Sequence, residues 1–220
     1  TMGIVFDAPN DFLLRGSNNP LVQIRDGGIV ARGGHDYTID APVQLKLLQA
    51  WDVAADTTLF ATQGLSATSS YVLTLSGAGT KVLGGAIDMT GNINLGGGSL
   101  ILRDADVSSP DGIITETAAS QIFLDNVVCN KAINLLGSTG KTALETAEGT
   151  TNVVNGRISR VSGDMSFHVA RDSQLTVLGG MGDGGYNSVA GEGADVSSFV
   201  VSNAKINFSC FSTSRLSLHF

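Results

Sequence analysis

Short apolar runs, separated by turn-forming residues, dominate the pattern of hydrophobic and polar positions along the chain. Several runs alternate with a period of two: Leu73 and Leu75 would share one face of a strand, with Val72 and Thr74 on the other. Clusters of Gly, Ser, Asn and Asp, as in residues 96–99, punctuate the runs and supply turn geometry. The pattern therefore predicts an all-β chain built from strands of about four to six residues.

Residues 42–55 are the one stretch where a helix competes with a strand. Leu45, Leu48 and Trp51 recur at the spacing of three that suits a helix. The alternation of Val43 with Leu45 instead suits a strand. Because the neighbouring segments are strand-like, a strand is the prediction for this stretch too.

The strands carry a recurring corner, in which Asp or Asn is followed three positions later by an aliphatic residue. Of the 29 Asp and Asn residues, 16 have Ile, Leu or Val at that position, where composition alone predicts about seven. The clearest corners are at residues 26–29, 56–59, 104–107, 125–128, 155–158, 172–175 and 203–206. Asp and Asn tolerate left-handed backbone and bond their own backbone at turns, so a periodic corner of this kind indicates a coil.

We therefore predict a single-domain parallel β-helix, or β-solenoid, over residues 1–220, with one chain winding in coils of about 25 residues. Residues 1–20 are interpreted as a capping or entry segment and residues 198–220 as a terminal strand or inter-chain segment. The alternative fold is an antiparallel β-sandwich or jelly roll, which also has closely spaced strands. Few hairpin dipeptides such as Asn-Gly occur, which favours the solenoid.

This strand–corner–strand texture resembles the right-handed parallel β-helix, the pectate-lyase-like solenoid, of bacteriophage tailspikes and related viral host-attachment proteins. The segments that carry the resemblance are residues 23–32, 73–89, 99–107 and 121–134. The resemblance implies a homotrimer on a virion tail or surface appendage, made in the host cytoplasm, that binds cell-surface polysaccharide and sometimes cleaves it. Because the sequence starts at Thr1, we also expect the chain to be part of a larger protein.

Composition narrows the classes of partner. The net charge of −7, with a pI near 4.7, disfavours binding to a nucleic-acid phosphate backbone. No apolar run of about 18 residues is present, so membrane insertion is not expected, and no signal-peptide pattern opens the sequence. Cys129 and Cys210 are predicted to be buried free thiols, and neither a cofactor nor a metal site is predicted.

Glycoside hydrolysis requires two carboxyl groups about 5 to 9.5 Å apart. Adjacent coils could supply that spacing from Asp104 and Asp125, if these occupy the same corner, with Asp106 on the same turn. The competing interpretation, which we favour, is that these carboxylates bond backbone groups at corners. The sequence therefore leans against an enzyme; an enzyme of this kind would be a polysaccharide hydrolase or lyase.

Aromatic rings that could stack on sugar faces are scarce. Trp51, Tyr37 and Tyr186 are the candidate glycan-binding residues, although a lone Trp inside an apolar run more often belongs to the core. The predicted function is a tailspike-like or tail-fibre-like host-attachment domain that binds cell-surface polysaccharide. The alternatives are a polysaccharide depolymerase on the same β-helix and a structural shaft without a ligand.

Overall fold

Parallel strands stacked rung upon rung form the protein. The structure is a computed structural model, which describes residues 3–18, 20–117, 120–136, 142–162, 165–182, 187–191 and 198–201. Every strand in these ranges pairs in parallel with the strand of the next rung, and the ranges contain no helix. The chain is therefore a parallel β-solenoid, and the alternative of an antiparallel sandwich is wrong.

Each rung contributes strands to three faces. The first face contains β1 (Ile4–Phe6), β4 (Ile29–Ala31), β7 (Gln49–Val53), β10 (Leu73–Ser76), β12 (Ile93–Leu95), β14 (Ile113–Glu116), β17 (Ala132–Leu136), β20 (Ile158–Ser162) and β23 (Met181–Gly182). The second contains β2 (Phe12–Arg15), β5 (Asp36–Asp40), β8 (Thr58–Ala61), the first halves of β11 (Thr80–Asp88) and β13 (Gly98–Val107), β15 (Ser120–Asp125), β18 (Leu144–Thr146), β21 (Met165–Val169) and β24 (Asn187–Gly191). The third contains β3 (Val22–Ile24), β6 (Val43–Leu45), β9 (Leu65–Ala67), the second halves of β11 and β13, β16 (Val128–Cys129), β19 (Thr151–Val154), β22 (Gln174–Val177) and β25 (Ser198–Val201).

The long strands β11 and β13 run across two faces and join them into one 16-stranded sheet. They pair with each other along their length, except that β13 carries one extra residue, Asp104, opposite the Gly84–Gly85 step. An extra residue in one strand is a β-bulge, which bends the strand locally. The bulge therefore marks the corner between the second and third faces.

The core is the inside of the coil, where alternate side chains of each strand stack in rows. Trp51 lies between Ile29 and Leu75 of the adjacent rungs, and all three side chains are fully buried. Both halves of the ambiguous stretch 42–55 form strands, β6 and β7, so the strand prediction is confirmed. Because each rung buries its apolar row only against its neighbours, stacking of the rungs creates the core.

Asp and Asn occupy left-handed backbone at several corners, as the sequence predicts. Asp56, Asp104, Asn126 and Asp172 have φ angles of 59°, 46°, 57° and 53°. These residues nevertheless belong to different corners: Asp56 separates the first and second faces, whereas Asp104 and Asp172 separate the second and third. Spacings between the predicted corners therefore do not measure one repeat.

The predictions for the chain ends are tested only in part. β1 and β2 form the first strands of their faces, and a capping role for residues 1–20 stays a prediction. Within residues 198–220, β25 pairs with β22, while residues 202–220, with the predicted corner at 203–206 and Cys210, lie outside the described residues. In the described part of the chain, no helix has the length and apolar character needed to cross a membrane.

Candidate ligand-binding faces

The structure does not stack the two carboxylates that the sequence placed at one corner. Ile101 pairs with Phe123, and Arg103 pairs with Asp125, so adjacent rungs here are offset by 22 residues. Placing Asp104 and Asp125 at the same corner requires an offset of 21 residues, one residue short. Asp104 consequently lies beside Asn126, not Asp125, and the predicted stacking of Asp104 on Asp125 is wrong.

Both carboxylates are engaged with neighbours of the adjacent rung. Asp125 accepts a hydrogen bond of 2.9 Å from Nε of Arg103 on the second face. Asp104 accepts one of 3.2 Å from the amide of Asn126, whose own oxygen accepts from the backbone N–H of Thr151. Both bonds join side chains of adjacent rungs, whereas the sequence favoured bonds from these carboxylates to backbone groups. A catalytic role for either residue stays a prediction.

Asp106 points to solvent from the third face, two residues beyond the bulge at Asp104. The three predicted acids therefore lie on different parts of the surface: Asp125 on the second face, Asp104 at the corner and Asp106 on the third face.

Two of the three candidate aromatic residues lie in the core. Trp51 and Tyr37 have no exposed surface. The Tyr37 ring stacks on Phe6 at 5.1 Å, and its hydroxyl donates to the backbone oxygens of Ala8 and Arg32. A ring enclosed in this way offers no face to a sugar, so the prediction of a surface platform is wrong for both; Tyr186 lies outside the described residues.

A row of polar side chains runs along the third face, one per rung, and we call it the polar row. Register places its members on successive rungs, about 4.8 Å apart: Gln23, Gln44, Ser66, Asp88, Ser108, Asn130 and Asn155. All of them are exposed or half-buried. The row therefore presents an uninterrupted line of hydrogen-bonding groups to solvent.

At each end of the polar row, the amide side chains of adjacent rungs bond to one another. The Gln23 amide donates to the Gln44 oxygen at 3.1 Å, and the Asn155 amide donates to the Asn130 oxygen at 2.6 Å. Asn130 in turn donates to the backbone oxygen of Ser108 at 2.8 Å. Each amide carries two N–H groups and one acceptor oxygen with two lone pairs, so these ladders orient the side chains and leave hydrogen-bonding capacity facing outward.

Beside the polar row lies a second outward row, which begins with small side chains that project little from the surface. It contains Pro42, Gly64 and Ala86, followed by Asp106 and Val128 on later rungs. The first three residues of this row are small or apolar, and beside a polar line they give a surface that a flat ligand can approach closely. Asp88 and Asp106, both exposed, make the middle of this face acidic.

The second face carries a different outward row. Phe60, Val82, Ile101 and Phe123 follow one another on successive rungs. Val82 faces outward yet is only 1% exposed, because its neighbours cover it. Large apolar side chains in this row therefore cover one another.

The second-face row ends in a cluster of charged and polar groups. Glu145 follows Phe123 in register, and its carboxylate lies 3.0 Å from Nδ1 of His168. The other carboxylate oxygen accepts from the Gln121 amide at 3.1 Å. Glu145 is thus held between two donors, and the cluster closes the row.

Two buried lysines and one buried cysteine lie inside the coil. Lys81 has no exposed surface; burial lowers its pKa to about 8, while the nearby charge of Asp52 acts in the opposite direction. Burial also lowers the pKa of Lys131, opposed by Cys129, Asp111 and Asp88. Burial raises the pKa of the Cys129 thiol to about 11, so this free thiol, buried as predicted, is protonated at neutral pH and unreactive.

Sequence reasoning did not find the polar row, although its signal is present. Its members are the outward positions of alternating strands, such as Gln44 between Val43 and Leu45. Comparing outward positions across rungs requires the register, which varies with corner length. The signal becomes readable only when the pairing of the strands is known.

Within the described residues, no group of three or more His, Cys, Asp or Glu side chains is arranged to hold a metal ion. Comparison with known proteins adds no assignment, since no protein-family model, curated protein or solved structure matches the chain.

Proposed function

We propose that the protein is a host-attachment protein of the tailspike or tail-fibre kind, which binds cell-surface polysaccharide along the polar row. The proposal includes the right-handed winding, the homotrimer and the location on a virion that the resemblance implies. It describes recognition, without cleavage of the glycan.

The single observation that carries the proposal is the continuity of the polar row. A linear polysaccharide repeats its hydroxyl groups along an extended chain, and the row repeats amide, hydroxyl and carboxylate groups about every 4.8 Å. Side chains of this kind both donate and accept hydrogen bonds, as a sugar hydroxyl requires. The low neighbouring row of Pro42, Gly64 and Ala86 allows such a chain to lie flat.

Recognition is favoured over cleavage by the state of the candidate acids. Asp125 is paired with Arg103, and Asp104 is bonded to Asn126. A hydrolase requires two carboxyl groups directed at the glycosidic bond and the attacking water, whereas both candidate carboxylates are bonded to neighbouring side chains.

A steric block in the middle of the polar row tests the proposal. Ser66→Arg places a long side chain across the row, and Thr74→Arg places the same side chain on the first face as a control. Binding of purified bacterial surface polysaccharides is measured on a glycan array and by titration. We expect Ser66→Arg to weaken binding at least about tenfold, equivalent to about 1.4 kcal/mol, and Thr74→Arg to leave it unchanged.

Equal binding by both variants would overturn the placement on the third face. Absence of binding to any surface polysaccharide by the unaltered trimer would overturn the proposed function. Release of reducing ends from a bound polysaccharide would replace recognition by depolymerisation.

A further inference from the structure

Two buried polar atoms on β7 lack a hydrogen-bond partner among the described residues: Oε1 of Gln49 and Nε1 of Trp51. The two side chains are 1% and 0% exposed, and both point into the coil from the same face of the strand. One atom accepts hydrogen bonds only, and the other donates only.

The orientation of the Gln49 amide is determined by its nitrogen. Nε2 donates to backbone oxygens at the corner below, those of Ile24 at 3.4 Å and of Arg25, and lies 3.5 Å from the oxygen of Leu47. Reversing the amide would aim its oxygen at three carbonyl oxygens. The unpartnered atom of Gln49 is therefore its acceptor oxygen.

The surroundings of Trp51 offer its indole N–H no alternative partner. Its neighbours in register, Ile29 and Leu75, are aliphatic and fully buried. Residues two apart on a strand have α-carbons about 6.6 Å separated, on the same side of the sheet. A donor and an acceptor that face the same interior space at such a spacing can be joined by one small molecule that both accepts and donates.

We infer that Gln49 and Trp51 form a buried water-binding site, in which a water molecule accepts from the indole N–H and donates to the Gln49 oxygen. Folded proteins hold about one buried water per 27 residues, typically at otherwise unsatisfied polar groups. Buried polar atoms without a partner are rare, and each one requires an explanation of this kind. The site would join the polar atoms of β7 inside an otherwise aliphatic row, independently of any glycan outside.

The chain contains a single Trp, so its indole N–H is a spectroscopic reporter of this site alone. Water is the probe: in a 15N-labelled sample, cross-relaxation between the indole proton and water is measured in laboratory-frame and rotating-frame experiments. A long-lived water gives cross-peaks of opposite sign in the two experiments. We expect this signature in the unaltered protein and its loss in Gln49→Leu.

Gln44→Leu is the matched control, because it makes the same substitution on the outward side of β6. We expect it to retain the signature. Absence of a long-lived water signal at the indole of the unaltered protein would overturn the inference, with no variant needed. A signal that persists undiminished in folded Gln49→Leu would also overturn it; if that variant does not fold, Gln49→Met, which keeps the shape without the acceptor, replaces it.

Discussion

The second and third faces share the strands β11 and β13, yet they present opposite surfaces to solvent. On the second face, the outward row of Phe60, Val82, Ile101 and Phe123 is half-buried or buried. On the third, the polar row reaches solvent with amides, hydroxyls and carboxylates. Both faces have the same alternation of inward and outward positions, so the difference lies in which residues occupy the outward ones.

In a parallel solenoid, every outward side chain has a neighbour directly above and below, about 4.8 Å away. Large side chains at that spacing cover each other, which removes apolar area from water at the surface itself. Short amides and hydroxyls bond along the row without covering it. The second face is thus stabilised by its own outward row, while the third face remains accessible to a ligand.

The largest expected effect on stability comes from removing a buried side chain on the inward side of the second face. Lys81 donates to the backbone oxygens of Gly77, Gly79 and Gly97 at 2.6, 3.1 and 2.9 Å. Lys81→Ala leaves these acceptors buried without a donor and opens a cavity, so we expect a loss of about 3 to 5 kcal/mol in the free energy of unfolding. Urea denaturation measures it, with Lys46→Ala at a half-exposed corner as the control. A loss below about 1 kcal/mol would contradict the role of Lys81.

The pH dependence of stability tests the burial of Lys81 in a second way. Burial lowers the pKa of folded Lys81 from 10.5 to about 8. Between these values the unfolded chain binds one proton more than the folded chain, so stability rises with pH. Relative to Lys81→Met, the unaltered protein should gain about 2 to 3 kcal/mol between pH 8 and pH 10.5, and nothing below pH 7. A flat difference over this range would show that the folded protein keeps the lysine charged.

Truncating one side chain in each outward row tests the comparison directly. Phe123→Ala on the second face should cost about 1 to 2 kcal/mol of unfolding free energy without changing polysaccharide binding. Asn130→Ala on the third face should weaken binding while changing stability by about 0.5 kcal/mol or less. Denaturation and titration on both variants measure the two effects, and Asn134→Ala on the first face is the matched Asn control. The reverse pattern would assign the ligand to the second face.

The smallest effect concerns the corner between the two faces. Asn126 has a φ angle of 57°, which Ala adopts only with strain. Asn126→Ala should therefore lower stability by about 1 kcal/mol more than Asn126→Gly. Thermal denaturation of the two variants measures the difference, and equal effects would show that side-chain bonds, not backbone conformation, make Asn favourable here.

Much of the fold could be predicted because its signals are local. Alternation identified strands such as β10, and a tolerance for left-handed backbone explains Asp or Asn at Asp104 and Asp172. The ambiguous stretch around Trp51 formed a strand, as its neighbours suggested. These features depend on a residue and its immediate neighbours, which the sequence lists directly.

The candidate site could not be predicted in the same way. The alignment of Asp104 with Asp125 instead of Asn126 is wrong by a single residue, and in a strand one residue exchanges the inside for the outside. The sequence also offers Trp51 as a surface platform, although its side chain lies on the inward side of β7. Corners of different length shift each rung relative to the last, so errors in register do not cancel.

Short strands with acidic or amide corners follow from local sequence, since hydrophobic period and backbone preference act over a few residues. Which outward side chains meet depends on the stacking of the rungs, because neighbours in a solenoid are some twenty residues apart in the chain. The polar row, the apolar outward row of the second face and the buried pair Gln49 and Trp51 all arise from that stacking.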